Sequence, residues 1–224
     1  MALDRQIIVA AALDQLDQHG LEGFSMRRLA AALGVQAPSI YWHYPDKTAL
    51  FDDMADALLQ GVASQPDDAA DYAAVLRHMA GQLRDALRRR RDGALVYAGT
   101  FVVRDNVLRL AETVIGAMTR AGYDSQTAAR TAFTMLYYVL GFVIEEQALA
   151  RRGGLDASEI ASRLAIMADD RYPAVRAALP HISDTDHDAR FKSGVELIIR
   201  GLGRPGADNE EQIQQLVKAM RSPR

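Results

Sequence analysis

Tyr41, Trp42, His43 and Tyr44 set four rings with polar atoms side by side, between Gly34 and Pro45, and Trp42 is the sole tryptophan of the chain. A phenol, an indole N–H and an imidazole can each stack and hydrogen-bond, so such a run either fills a small core or is displayed to a polar partner. Arg27 and Arg28 precede the rings and Lys47 follows them. Residue types that perform catalysis are present without the spacing that catalysis needs. There is no HExxH, no nucleophile elbow and no glycine-rich phosphate loop. The histidines and carboxylates of "HISDTDHD" (His181–Asp188) fit no metal-ligand spacing and read as a polar loop, while His19 and His78 lie within helices without partners. The chemistry on offer is binding, and the expectation is a protein that is not an enzyme and carries no cofactor.

The elements that must position these rings are all helices. Apolar residues recur at steps of three and four almost throughout, and no run alternates strictly enough for a strand. A first helix is predicted from about Asp4 to His19, stopped by Gly20. Ser25 caps a second with Met26, Leu29, Ala30 and Leu33 inward, ended by Gly34. A third opens with Pro38 in its first turn and ends near Tyr44, because Pro45 follows. Asp46 caps a fourth, with Leu50, Met54 and Leu58 inward. Three short helices with a glycine turn between the second and third have helix-turn-helix spacing. On the third helix Ile40 faces the core. Consecutive residues sit about 100° apart, so Tyr41, Trp42 and His43 cannot all join it. Trp42 and Tyr44 are expected to brace it against the fourth. Arg27, Arg28 and Lys47 put cations beside the free N–H groups of two helix N-termini, a grip for phosphates on either side of a helix lying in the major groove.

Composition by itself argues against a nucleic-acid partner. The 224 residues are 49% hydrophobic and 25% charged, with a net charge of −3. Residues 1–50 carry four Lys/Arg against five Asp/Glu, so any case for DNA rests on placement and not on bulk charge. The absence of cysteine excludes disulfides and points to a reducing, cytoplasmic compartment. No secretory signal is read near Asp4 and Arg5, and the 14-residue apolar run Thr131–Ile144 is expected to be too short for a membrane span. After a break at Ser64–Asp68, helices are predicted near Ala69–Arg91, Ala94–Val102, Asp105–Ala121, Ser125–Arg152, Ala157–Leu179 (kinked at Pro173) and Asp188–Leu202. The domains expected are a head over 1–46, a connecting helix over 47–64, a second all-α domain over 65–203 and a polar tail over 204–224. "RRRR" at Arg88–Arg91 reads as a solvated helix C-terminus and not as a second nucleic-acid site.

The stretch "LEGFSMRRLAAALGVQAPSIYWHYPDKTALF" resembles the DNA-binding head of the tetracycline-repressor (TetR) family of bacterial transcription regulators. The resemblance implies that Arg27, Ala37, Pro38, Ser39, Tyr41, Trp42, His43 and Lys47 face DNA, with Arg28 beside them. Pro38 would meet a thymine methyl, Ser39, Tyr41, His43 and Lys47 would hold phosphates, and Arg27 would reach a guanine. The tetracycline repressors proper have glutamine where this chain has Ala37, which implies a different operator. "RRDGALVYAGT", "RAGYD" and "LGFVIEEQ" are similar to the ligand-binding and dimerising domain of the same subgroup. There the departures matter. Tyr97 stands where a magnesium-binding histidine is expected, Ala63, Met79 and Val114 where pocket histidine, asparagine and glutamine are, and Phe101 where an arginine is. Glu145 keeps a carboxylate.

The resemblance therefore implies a pocket for an apolar or aromatic small molecule, with no metal, formed by Met79, Leu83, Tyr97, Phe101, Val114, Met118, Phe133 and Tyr137, with Thr100 and Glu145 as polar points. It also implies a homodimer across the two long helices, carried by Leu136, Leu140, Val143, Phe191, Val195, Ile198, Ile199 and Leu202. The expected function is a ligand-responsive repressor on a near-palindromic double-stranded operator, without a membrane partner. The alternatives at this point are a helical small-molecule-binding protein or enzyme with a vestigial head, and a transcriptional activator.

Overall fold

The computed structural model describes residues 3–63, 71–100, 103–151, 153, 157–167 and 171–203. Among them are eleven helices and no strand. The head is α1 (Arg5–His19), α2 (Met26–Ala32) and α3 (Ala37–His43), and α4 (Lys47–Leu58) leads out of it. Side chains set each start. Asp4 Oδ1 accepts from the Ile7 N–H, Ser25 Oγ from the Arg28 N–H and Asp46 Oδ1 from the Ala49 N–H, satisfying donors that the first turn leaves orphaned. Pro38 lies in the first turn of α3, and Tyr44 ends that helix in an extended conformation before Pro45. Ile8, Leu16, Leu29, Ile40, Leu50 and Met54 form the buried centre of this unit.

The second unit comprises α5 (Tyr72–Arg88), α6 (Gly93–Ala98), α7 (Asp105–Arg120), α8 (Ser125–Arg151), α9 (Ala157–Met167), α10 (Pro173–Ile182) and α11 (His187–Arg200). Helix α8 packs on α5, α7 and α11 and organises the unit. The buried Arg84 of α5 ties three of these helices: Nε and Nη2 donate to Glu146 of α8, Nη1 reaches Asp188 of α11 at 2.7 Å, and the guanidinium lies over the Phe191 ring at 4.6 Å. A guanidinium with two carboxylates along its edges and an aromatic ring against it retains its charge in a largely apolar setting.

Three sequence expectations change. The expected kinked helix Ala157–Leu179 is two helices, because Pro173 begins α10 instead of bending α9, and its missing N–H is harmless there. The apolar run taken as 14 residues lies in a 27-residue helix, long and apolar enough by itself to cross a bilayer. In the fold, however, one side of that helix is the core of the unit. The arginines of "RRRR" are not all left to water. Arg90 pairs with Asp14 and Asp17 of α1, and the Arg91 N–H donates to Asp17. The expected tail over 204–224 lies outside the described residues.

Candidate nucleic-acid interface and effector site

On α3 only Ile40 is buried, so every other side chain faces outward or lies at the rim. Trp42 is 84% exposed and Tyr41 48%, Pro38 and Ser39 are exposed, and Ala37 and His43 are half-buried. Trp42 braces nothing on α4, contrary to expectation; among the described residues its one ring contact is an edge-to-face one with His43, at 4.8 Å between centroids. Tyr44 alone does the bracing. It is fully buried, and its hydroxyl donates to Asp53 Oδ2 of α4 at 2.8 Å. Burial, then the Asp53 hydrogen bond and charge, push that phenol far above its ordinary value.

The cations lie on α2 and α4, the helices before and after α3 in the chain. Arg27 and Arg28 are exposed at the start of α2, and Arg28 Nη1 donates to the Gly23 carbonyl. Lys47 Nζ lies over the Phe51 and Phe24 rings, 4.8 and 5.2 Å from their centroids. Its position is thereby fixed while the side chain stays exposed. The exposed groups of α2, α3 and the start of α4 thus include rings, a hydroxyl, a proline and cations.

The expected pocket residues divide. Met79, Leu83, Tyr97 and Val114 are buried together in the main core, and Thr100 caps α6 by donating to the Tyr97 carbonyl. Burial, reinforced by the charge of Asp56, pushes the Tyr97 hydroxyl up to about 12. Met118 belongs instead to a small separate cluster with Tyr123 and Ala128. Phe101 lies outside the described residues. Phe133, Tyr137 and Glu145 are not brought to this site. They lie four residues apart along the outer side of α8 with Gly141, so they form one stripe, Phe133 being 56% and Tyr137 65% exposed. Conversely, Leu140, Val143, Phe191, Val195 and Ile199, expected to face a second subunit, are buried within the chain. The helix carries apolar residues on both sides, and it is Ala128, Thr131, Met135, Val139 and Val143 that turn inward.

Two junctions join the head to the body, and sequence reasoning missed both. Asp92, a buried residue with φ +55°, accepts from the Leu21 N–H of the head and pairs with Arg151 of α8. Gln147 of α8 donates to the Leu87 and Arg90 carbonyls and accepts from the Ala94 N–H, filling the turn between α5 and α6. At the other junction, Asp56 of α4 accepts from the N–H groups of Asn106 and Val107 and from the Asn106 amide, capping α7 from outside. Beside it Asp53 Oδ1 accepts from Arg104 Nε at 2.9 Å. A cleft of about 790 Å³ runs along this junction, between Arg5, Gln6, Asp53, Arg89 and Asn106.

An exposed, ring-bearing helix on a small head joined to a helical body is one geometry of a regulator, and comparison with known proteins specifies which. The family model described as "Bacterial regulatory proteins, tetR family" matches residues 8–54, and "Tetracyclin repressor-like, C-terminal domain" matches residues 65–204, more than half of the chain. The chain belongs to the TetR family. Among curated relatives of this TetR-family regulator, the class A tetracycline repressor from transposon 1721 of Escherichia coli is 33% identical over 204 residues, covering 90% of this chain and 91% of the repressor. The crystal structure of a possible TetR family transcriptional regulator from Streptomyces coelicolor is 36% identical with a TM-score of 0.79, covering 88% of this chain and 98% of that one. Streptomyces coelicolor ActR in complex with actinorhodin is 26% identical with a TM-score of 0.81, covering 90% of this chain and 97% of that one. The regulator's missed junction residues gave no sequence signal: Asp53 and Asp56 share their helix with Asp52, and nothing in the pattern says which of them meets another element.

Proposed function

We propose that this regulator is a homodimeric repressor that binds a near-palindromic double-stranded operator and is released by a small apolar or aromatic effector held within residues 65–203. The observation that carries the DNA half is the division of the four rings: Tyr44 is buried and anchors α3, while Tyr41 and Trp42 are turned out, with exposed cations on the helices before and after. Such a helix enters the major groove, with phosphate contacts fixing its register. The stripe Phe133–Tyr137–Gly141–Glu145 on α8, together with exposed Leu197 on α11, supports pairing with a second copy through a four-helix seam. Two heads then meet half-sites about one helical turn, roughly 34–36 Å, apart.

The effector class follows from Tyr97 and its surroundings. A phenol that ionises near pH 12 is neutral at physiological pH and a poor magnesium ligand, so a metal–drug chelate is disfavoured. Met79, Leu83 and Val114 beside it offer an apolar, adaptable lining. The relative bound to actinorhodin supports an effector-responsive reading. Effector binding shifts the dimer toward a head spacing that no longer fits the operator, which for full release requires several kcal/mol of preference for the released state.

The test is selection of duplexes from a random-sequence pool, followed by titration of the purified protein at two salt concentrations with Trp42 fluorescence as the signal. Binding at least about a thousandfold tighter than to random DNA is expected. Uniformly weak binding across the pool would overturn the repressor reading.

A further inference from the structure

Helix α3 has seven residues and one buried side chain, Ile40. A helix of two turns cannot hold its own direction, so its angle to the head depends on what fixes its two ends. The C-terminal end is fixed by Tyr44, whose ring is fully buried and whose hydroxyl has Asp53 as its hydrogen-bond acceptor. Asp53 divides its oxygens: Oδ2 takes the Tyr44 hydroxyl at 2.8 Å and Oδ1 takes Arg104 Nε at 2.9 Å. Arg104 is the residue from which α7 starts. Arg5 of α1 completes the cluster. Its Nη2 donates to the His43 carbonyl at 2.9 Å, its guanidinium lies 4.9 Å from the Tyr44 ring centroid, and Nη1 is 3.6 Å from Asp53 Oδ2. Four helices therefore meet on one carboxylate, and two of the three residues it engages hold the end of α3.

We propose that Asp53 is a positioning residue that braces the C-terminal end of α3 against the first turn of α7, so that a displacement of α7 is carried to Tyr41, Trp42 and His43. The inference rests on the reading of α3 as the DNA-facing helix. A charge-assisted O–H to carboxylate bond is short and directional, so it transmits position where an apolar contact would slide. The Arg104 end is half-exposed and can part from Asp53 without opening the core, giving the brace a bonded and a released arrangement. Asp56 supplies the contrast. It joins α4 to α7 just as closely, through Asn106, but has no hydrogen bond to α3 among the described residues.

Amide hydrogen exchange on the full-length protein tests this without DNA. In Arg104→Ala, amides of residues 40–44, including the Tyr44 N–H that donates to the Ile40 carbonyl, are expected to exchange roughly five- to tenfold faster, with α1 unchanged. Asn106→Ala is expected to speed exchange at the start of α7 and leave residues 40–44 within about twofold. Unchanged exchange at 40–44 in Arg104→Ala overturns the brace, and so does equal loosening by both variants or acceleration spread over the whole head. On a selected operator, Arg104→Ala is expected to bind at least about threefold more weakly with an unaltered salt slope, because a brace releases no counterions. A flatter slope would instead make Arg104 a phosphate contact. Because the exchange measurement needs no operator, a protein that fails to select DNA can still show or lack the brace.

Discussion

Lys47 has its ammonium over two aromatic rings while the residue stays exposed, so it should add to DNA affinity without depending on DNA for its position. Lys47→Ala should weaken binding to all duplexes about equally and lower the slope of log affinity against log salt by about one, read from titrations at several salt concentrations. Sequence-selective weakening would instead make it a base reader. Tyr97 makes a prediction about stability. An unfolded phenol ionises near pH 10, and the folded one near 12. The folded pKa is the higher, so its contribution is complete below pH 10 and is lost as pH rises from 10 to 12, by about 2–3 kcal/mol. Tyr97→Phe should flatten that part of an alkaline denaturation curve, and an unaltered curve would place the ionisation elsewhere. That Tyr97 lies inside was implied by the family resemblance; that Tyr44 and not Trp42 anchors α3 was not legible in the sequence. Adjacent rings on a short helix differ by 100° in direction, and only the position of α4 decides which one lands inside.

At the scale of elements, caps were read correctly because capping is local. Ser25, Asp46 and Pro38 act within three residues of their own positions. The faces of α8 were not. A helix with apolar residues nearly all round has no periodic signal to separate the side meeting α5 and α11 from the side left open, which is why Phe133 and Tyr137 were assigned inward. The seam between α8 and α11 is close-packed at Gly194, where an added Cβ would fall 2.1 Å from Tyr138 Oη and 2.4 Å from Cζ. Tyr138 donates to the Phe191 carbonyl and stacks on the Phe191 ring, so it cannot simply swing away. Gly194→Ala should therefore destabilise the protein by about 1–3 kcal/mol in denaturant unfolding. A neutral result would mean that α11 can shift along α8.

For the whole molecule, the exposed stripe on α8 is a surface that a solitary chain would leave in water. Phe133→Asp places a charge in that stripe and should convert the dimer to a monomer in sedimentation velocity, with unfolding of the core unaffected because the side chain is already exposed. Operator affinity should fall at least about tenfold once the two heads are no longer linked, while binding to random DNA falls far less. A variant that remains dimeric would remove the stripe from the interface.

The sequence alone determined what depends on neighbours along the chain. Helix periodicity gave the all-α class, caps and prolines gave the starts of α2, α3 and α4, and the types and spacing around Tyr41–Lys47 gave the resemblance that the family comparisons then established. Tertiary structure decided everything that depends on which distant elements touch. It selected Asp53 and Asp56 from three carboxylates on one helix as the links to α7. It bonded Arg90 and the Arg91 N–H to α1, and it sent Phe133, Tyr137 and Glu145 outward instead of into the body. The physical reason is the same in each case. A side chain's type states what it can bond to, whereas its partner is set by the packing of helices far apart in sequence, which leaves no periodic trace in either one.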